Sequence, residues 1–111
     1  MPALRFLLAV VIASVSTATV VHAAGAERVL VIKNHRFEPS ELKVPANQRI
    51  KLVVHNQDSS PEEFESPSLN REKLIPGGAK ATLFIGPLKP GRYEFVGEYH
   101  EATAKGVVVV D

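Results

Sequence analysis

The chain has 111 residues, with 13 Lys and Arg against 12 Asp and Glu, one Met and no Cys. That length admits one domain, the balanced charge lacks the basic stripe a nucleic-acid partner requires, and disulfides and thiolate ligands are excluded. Any metal must be held by nitrogen and oxygen.

Residues 1–23 read as a signal peptide. Arg5 is followed by the apolar run Phe6 to Val15, and Val21-His22-Ala23 before Ala24 has the small-residue spacing of a cleavage site. Cleavage there predicts export to the periplasm. An uncleaved anchor is the alternative, but Ser14, Ser16, Thr17 and Thr19 interrupt the run, and a spanning helix needs about 20 apolar residues. Loss of Arg5 leaves 12 basic against 12 acidic residues in the domain expected over 24–111. With Met1 removed as well, that domain contains no sulfur.

Arg28 to Lys33 predicts a strand, then Asn34 to Pro39 a break in which Phe37 plugs the core. Leu42 and Val44 alternate with charged neighbours, and Pro45-Ala46-Asn47 marks a turn. Arg49 to His55 reads as a strand with Ile50, Leu52 and Val54 on one side. Glu62 to Ser66 is short and extended, Pro67 to Arg71 irregular, and Glu72 to Ile75 a further strand. Ala79 to Ile85 alternates, with Ala81, Leu83 and Ile85 sharing a face. After the turn Gly86 to Gly91, Arg92 to Val96 and Lys105 to Val110 complete the set. No segment beyond the leader has a helical period. Seven to eight short strands separated by turns predict an all-β sandwich or barrel.

Two segments carry metal-capable side chains. The first is Glu98, His100 and Glu101. On an extended chain, residues two apart point to one face, so Glu98 and His100 are expected to reach one ion. The second is Glu62-Glu63-Phe64-Glu65, where period 2 puts Glu63 and Glu65 on one side and Glu62 with Phe64 on the other. Carboxylates brought together without a cation raise one another's pKa. His35, in the loop after the first strand, is a further candidate; His55 more resembles a strand-end cap. Each pattern taken alone also fits a solvated hairpin end. Nucleophile elbows, Walker loops, dinucleotide-binding glycines and His-Glu-x-x-His are absent from the sequence.

The order of these features resembles the cupredoxin family. The resemblance is carried by Asn56-x-Asp58, the acidic-aromatic segment, Pro90-Gly91-x-Tyr93-x-Phe95, Gly97-x-x-His100, and Gly106 before a Val-rich strand. It implies a Greek-key β-sandwich with a metal site at one end. It also places the blue-copper His, Cys, His and Met near Glu62, Gly97, His100 and Ala104, of which only His100 keeps a ligand. A blue-copper centre requires a Cys thiolate, so that chemistry is excluded. Glu62-Glu63-Phe64-Glu65-Ser66 with Gly97-Glu98-Tyr99-His100 is similar to the small periplasmic cupredoxin-like proteins of bacterial ferrous-iron uptake systems. That likeness implies iron and/or copper bound through Glu62, Glu63, Glu65, Glu98, His100 and His35. It further implies assistance to ferrous-iron uptake or oxidation, with an inner-membrane iron permease and other periplasmic components as partners. Periplasmic copper handling and a metal-free interaction module are the alternatives.

Overall fold

A computed structural model describes residues 3, 9–15 and 25–111. The expected signal peptide and its cleavage site fall mostly outside the described residues.

Among the described residues nine strands form two sheets: β1 (Glu27–Lys33), β2 (Arg36–Glu38), β3 (Glu41–Val44), β4 (Ile50–Asn56), β5 (Glu62–Ser66), β6 (Arg71–Ile75), β7 (Lys80–Ile85), β8 (Gly91–Gly97) and β9 (Lys105–Val110). The first sheet has the order β2-β1-β4-β7 and the second β3-β9-β8-β5-β6. The chain changes sheet after β2, β3, β4, β6 and β7, and the pairs β1–β4 and β3–β9 are parallel. The expected sandwich is present, one strand richer than predicted. The extra strand is β2, three residues read from sequence as a break. It forms because Asn34 and His35 close a two-residue hairpin that pairs Lys33 with Arg36.

The alternating residues of each strand meet between the sheets. Leu30 and Ile32 of β1, Ile50, Leu52 and Val54 of β4, and Leu83 and Ile85 of β7 come from one side. Leu42, Val44, Phe64, Ile75, Phe95, Val108 and Val110 come from the other. Phe37 is the expected plug: 3% exposed, it stands edge-on to Phe95 with ring centroids 4.9 Å apart, while Phe64 stacks on Phe95 at 5.1 Å. A Cβ at Gly106 would run into the Phe95 ring, so that position of β9 admits only glycine. Burying a phenylalanine of this kind stabilises the fold by about 3–5 kcal/mol relative to alanine.

At one end of the sandwich lie the β1–β2 turn, the β4–β5 loop, the start of β5, and the connection from β8 to β9. That connection is a single turn of 3-10 helix, Glu98–His100. The described residues contain no α-helix.

Candidate metal centre

β5 delivers its side chains alternately, buried at Glu62, Phe64 and Ser66 and half-buried at Glu63 and Glu65. Glu62 therefore enters the end of the core, where it is 1% exposed. Its Oε1 accepts hydrogen bonds from the Glu63 N–H at 2.9 Å and the Tyr99 N–H at 3.0 Å. Its Oε2 meets Nδ1 of His100 at 2.5 Å. With the carboxylate already accepting two backbone donors, the shared proton belongs to Nδ1, so Nε2 is the nitrogen turned away from the carboxylate, the one that can offer a lone pair when it carries no proton. A carboxylate that fixes an imidazole in this way is the usual support of a metal-binding histidine.

His35 lies over the other ring. Its imidazole stacks on His100 with centroids 3.6 Å apart and planes inclined by 12°. Its backbone N–H donates to the Asp58 carboxylate at 2.9 Å, beside that of Asn34 at 2.8 Å. The Thr103 hydroxyl donates to the His35 carbonyl at 2.6 Å. The His35 N–H, then the Asn34 N–H and the neighbouring imidazoles, hold the Asp58 carboxyl below its ordinary value against the opposing effect of burial. The loop carrying Asp58 is set by Asn56, fully buried, whose amide donates to the carbonyls of Ser60 and Ile75 and whose oxygen accepts the Asp58 N–H.

On the outer face of β5 the carboxylates have a different company. Glu63, Glu72 and Glu98 each bring one oxygen within 4.8 Å of the others. Hydrogen bonding to Glu63, followed by the charge of that same group, pushes Glu72 up to about 6. The charges of Glu63 and Glu65 raise Glu98 as well. This is the mutual repulsion expected of carboxylates gathered without a cation. Glu65 faces Glu72 across the β5–β6 ladder, and Glu101 is exposed.

The six residues singled out from sequence thus fall into two neighbouring groups. Glu62, His100 and His35 close the end of the core; Glu63 and Glu98 stand outside it with Glu72, and Glu65 lies on the same outer face. Glu98 and His100 do not share an extended face. They lie in a 3-10 turn, where about three residues complete a turn, so a spacing of two sends them apart. His55 sits on the first sheet opposite Lys80, away from both groups. Sequence reasoning missed Glu72, which the antiparallel pairing of β5 with β6 could have indicated, and it missed Asp58 and Thr103, which act through backbone groups.

A blue-copper thiolate does not fit here. A Cβ on Gly97 would lie 2.6 Å from both the Ala104 Cβ and the Glu62 Cδ, and 2.8 Å from the Glu62 Oε2. The volume a cysteine would need is taken by the buried carboxylate. The donors offered instead are the Nε2 of His100, supported by Glu62, with the His35 ring stacked beside it, and the carboxylates of Glu63, Glu72 and Glu98, whose oxygens come within 4.8 Å of one another. Such donors suit Cu(II), Fe(II), Mn(II) and Zn(II).

Two sheets of this topology, with donors gathered between the loop after β4 and the β8–β9 connection, define a protein of the cupredoxin architecture. The cupredoxin-like domain family matches residues 4–110, and the chain belongs to that family. An uncharacterized protein of Rickettsia prowazekii (strain Madrid E) is 42% identical over 82 residues, which cover 74% of this chain and 66% of that protein. The chain thus spans just under two thirds of that relative's length. Among solved structures, the metal-binding domain of the Cu(I)-exporting P-type ATPase CopA of Streptococcus pneumoniae D39, with Cu(I), superposes with a TM-score of 0.68 at 15% identity, over 77% of this chain and 84% of that one. Auracyanin A, a "blue" copper protein of Chloroflexus aurantiacus, gives 0.66 at 14% identity, over 78% and 98%. A purple cupredoxin of Nitrosopumilus maritimus gives 0.59 at 19% identity, over 78% and 99%. At these identities the likeness is one of fold.

Proposed function

We propose that the chain is an exported, periplasmic metal-binding protein that takes iron and/or copper at the sandwich end and assists ferrous-iron uptake or oxidation. The observation that carries this reading is the buried Glu62–His100 pair with His35 stacked upon it. It occupies the end of the fold where the family resemblance implies the metal site, with oxygen and nitrogen in place of sulfur. Glu62 holds the proton on Nδ1 of His100 and presents Nε2. Glu63, Glu72 and Glu98 form a negative approach that raises the local concentration of cations.

Iron here is cargo. Oxygen donors stabilise Fe(III) over Fe(II), so a carboxylate-containing site favours loss of one electron from bound Fe(II) to an acceptor of higher potential, a copper ion or a redox protein. An inner-membrane iron permease is the partner this role implies, together with other periplasmic components. A second reading, copper handling, is favoured by the two imidazoles and by the copper named for the structural relatives. The Irving–Williams order gives Cu(II) the tighter binding at almost any such site, so affinity alone does not separate the two.

Anaerobic calorimetric titration of the protein with Fe(II), and separately with Cu(II), tests the reading. One equivalent of saturable binding, lost in His100→Ala, is the expected result. Fe(II) uptake followed by spectral conversion to Fe(III) on admitting air favours the iron role, and Cu(II) binding with no Fe(II) binding favours the copper role. Failure of both ions to bind would remove the metal site and leave a sandwich that acts through protein contacts.

A further inference from the structure

Both side edges of the sandwich are crossed by an arginine in the same way. On one side Arg28 of β1 donates its Nε–H to the carbonyl of Lys43 on β3 at 2.9 Å, and its Nη1 donates to the carbonyl of Glu27, one residue back, at 2.9 Å. On the other side Arg71 of β6 donates its Nε–H to the carbonyl of Phe84 on β7 at 2.8 Å, and its Nη1 donates to the carbonyl of Asn70, again one residue back, at 2.8 Å. β1 and β7 belong to one sheet, β3 and β6 to the other. Each guanidinium therefore spans from sheet to sheet, and the two reach in opposite directions.

The carbonyls they hold lie on open strand edges. β2 covers only Val31 to Lys33 of β1. The Ala26 carbonyl accepts the Lys51 N–H from β4. Successive carbonyls of a strand point to opposite sides, so that of Glu27 points to the side β2 leaves open. β3 is the outermost strand of its sheet, as β7 and β6 are of theirs. In β7 the Ala79 carbonyl accepts the Asn56 N–H. Every second residue of an antiparallel pair bonds across the ladder. That rule and the register assign Ala81, Leu83 and Ile85 to β4 and turn the Phe84 carbonyl outward.

An edge with unpaired carbonyls is a template for a strand of another chain, and a charge laid across it blocks the addition. Arginine can hold two carbonyls at once because its donors form a rigid fork; lysine carries a point charge without that fork. The chain has no Cys, so no disulfide can tie the sheets together.

We infer that Arg28 and Arg71 are paired latches on the two side edges of the sandwich. Each ties one sheet to the other and covers carbonyls that a strand of a second copy would otherwise take. The inference is independent of the metal-binding reading, because both latches lie on the strand edges and neither involves a donor of the candidate centre.

Four single variants test it, Arg28→Lys, Arg28→Ala, Arg71→Lys and Arg71→Ala, together with the double alanine variant. Amide hydrogen exchange reads the two edges separately. The Val107 N–H, bonded to Ser40 beside β3, reports on the Arg28 side, and the Leu83 N–H of β7 reports on the Arg71 side. Each variant should raise exchange about 5-fold on its own side, the equivalent of one lost hydrogen bond of ~1 kcal/mol, and leave the other side unchanged. Sedimentation velocity over a concentration series reads association. The unsubstituted protein and both lysine variants, which keep a charge on the edge, are expected to remain monomers. The double alanine variant should form concentration-dependent dimers and larger species. The lysine variants keep the exchange test usable if an alanine variant fails to fold. Equal acceleration at both reporters, or none, would overturn the latch and show general stability or no role. A double alanine variant that stays monomeric would overturn the edge-blocking role, as would an unsubstituted protein that associates equally well.

Discussion

On the inner face of β5 the Glu62 carboxylate accepts two backbone N–H groups and the Nδ1 proton of His100, and none of its oxygens is left unpaired. One residue along, on the outer face, Glu63 stands among Glu72 and Glu98 in a group that raises two of its members' pKa values. The same side chain is thus an anchor on one side of a strand and a source of repulsion on the other. What separates the two cases is the supply of donors. The 3-10 turn after β8 aims its Tyr99 N–H and the His100 ring inward, and it leaves Glu98 outside. A buried carboxylate is tolerated where it is fully hydrogen-bonded; an exposed one can be crowded because water screens part of the cost.

The contrast is broken most severely at its inner member. Glu62→Ala removes the acceptor from two N–H groups and from His100, and it should destabilise the fold by about 3–5 kcal/mol, as loss of one partner of a buried pair does. Glu62→Gln keeps an oxygen for the backbone donors and should lose roughly 1–2 kcal/mol. Chemical denaturation of the two variants side by side checks the ordering, and equal losses would show that the hydrogen bonds do not set the cost. Gly97→Ala comes next. Its β-carbon presses on Glu62 and Ala104, and overpacking of this kind costs about 1–3 kcal/mol; the same denaturation series measures it.

The outer member yields the smallest effect and the opposite sign. Glu72 has its carboxyl raised from 4.5 to about 6 in the folded protein. A raised carboxyl binds its proton more tightly when folded, so stability falls as pH rises through this window, and the full penalty is present above it. Glu72→Gln removes the penalty. The variant should melt slightly above the unsubstituted protein at pH 8, and the two should converge below pH 4.5. Added salt should narrow the gap at pH 8. A difference independent of pH would mean that the repulsion is not its cause.

Much of this arrangement was legible in the strand periodicity. The alternation in β5 assigned Glu62 and Glu63 to opposite sides, and the same rule put Leu83 and Ile85 on one face, now buried, while Phe37 was expected to plug the core from a break between strands. The family resemblance, carried by motifs spread along the chain, identified the end of the sandwich to search. The turn at Glu98–His100 was misread because three residues are too few to display a period, and a strand entering it carries its alternation forward by default. Glu72 was missed because its partners are fixed by register across a hairpin. Asp58 and Thr103 were missed because they grip the backbone of His35, 23 and 68 residues away, and a contact to a peptide group leaves no trace in the identity of the residue contacted.

The close approach of Gly97 to Glu62 ties two positions of the chain together. The carboxylate now filling the end of the core and a sulfur side chain at the neighbouring strand end compete for one volume, so neither can be exchanged for the other one step at a time. Putting cysteine at 97 first collides with the glutamate; removing the glutamate first strands two backbone donors and a histidine. Exchanging oxygen for sulfur at this end of the scaffold therefore requires both places to change together.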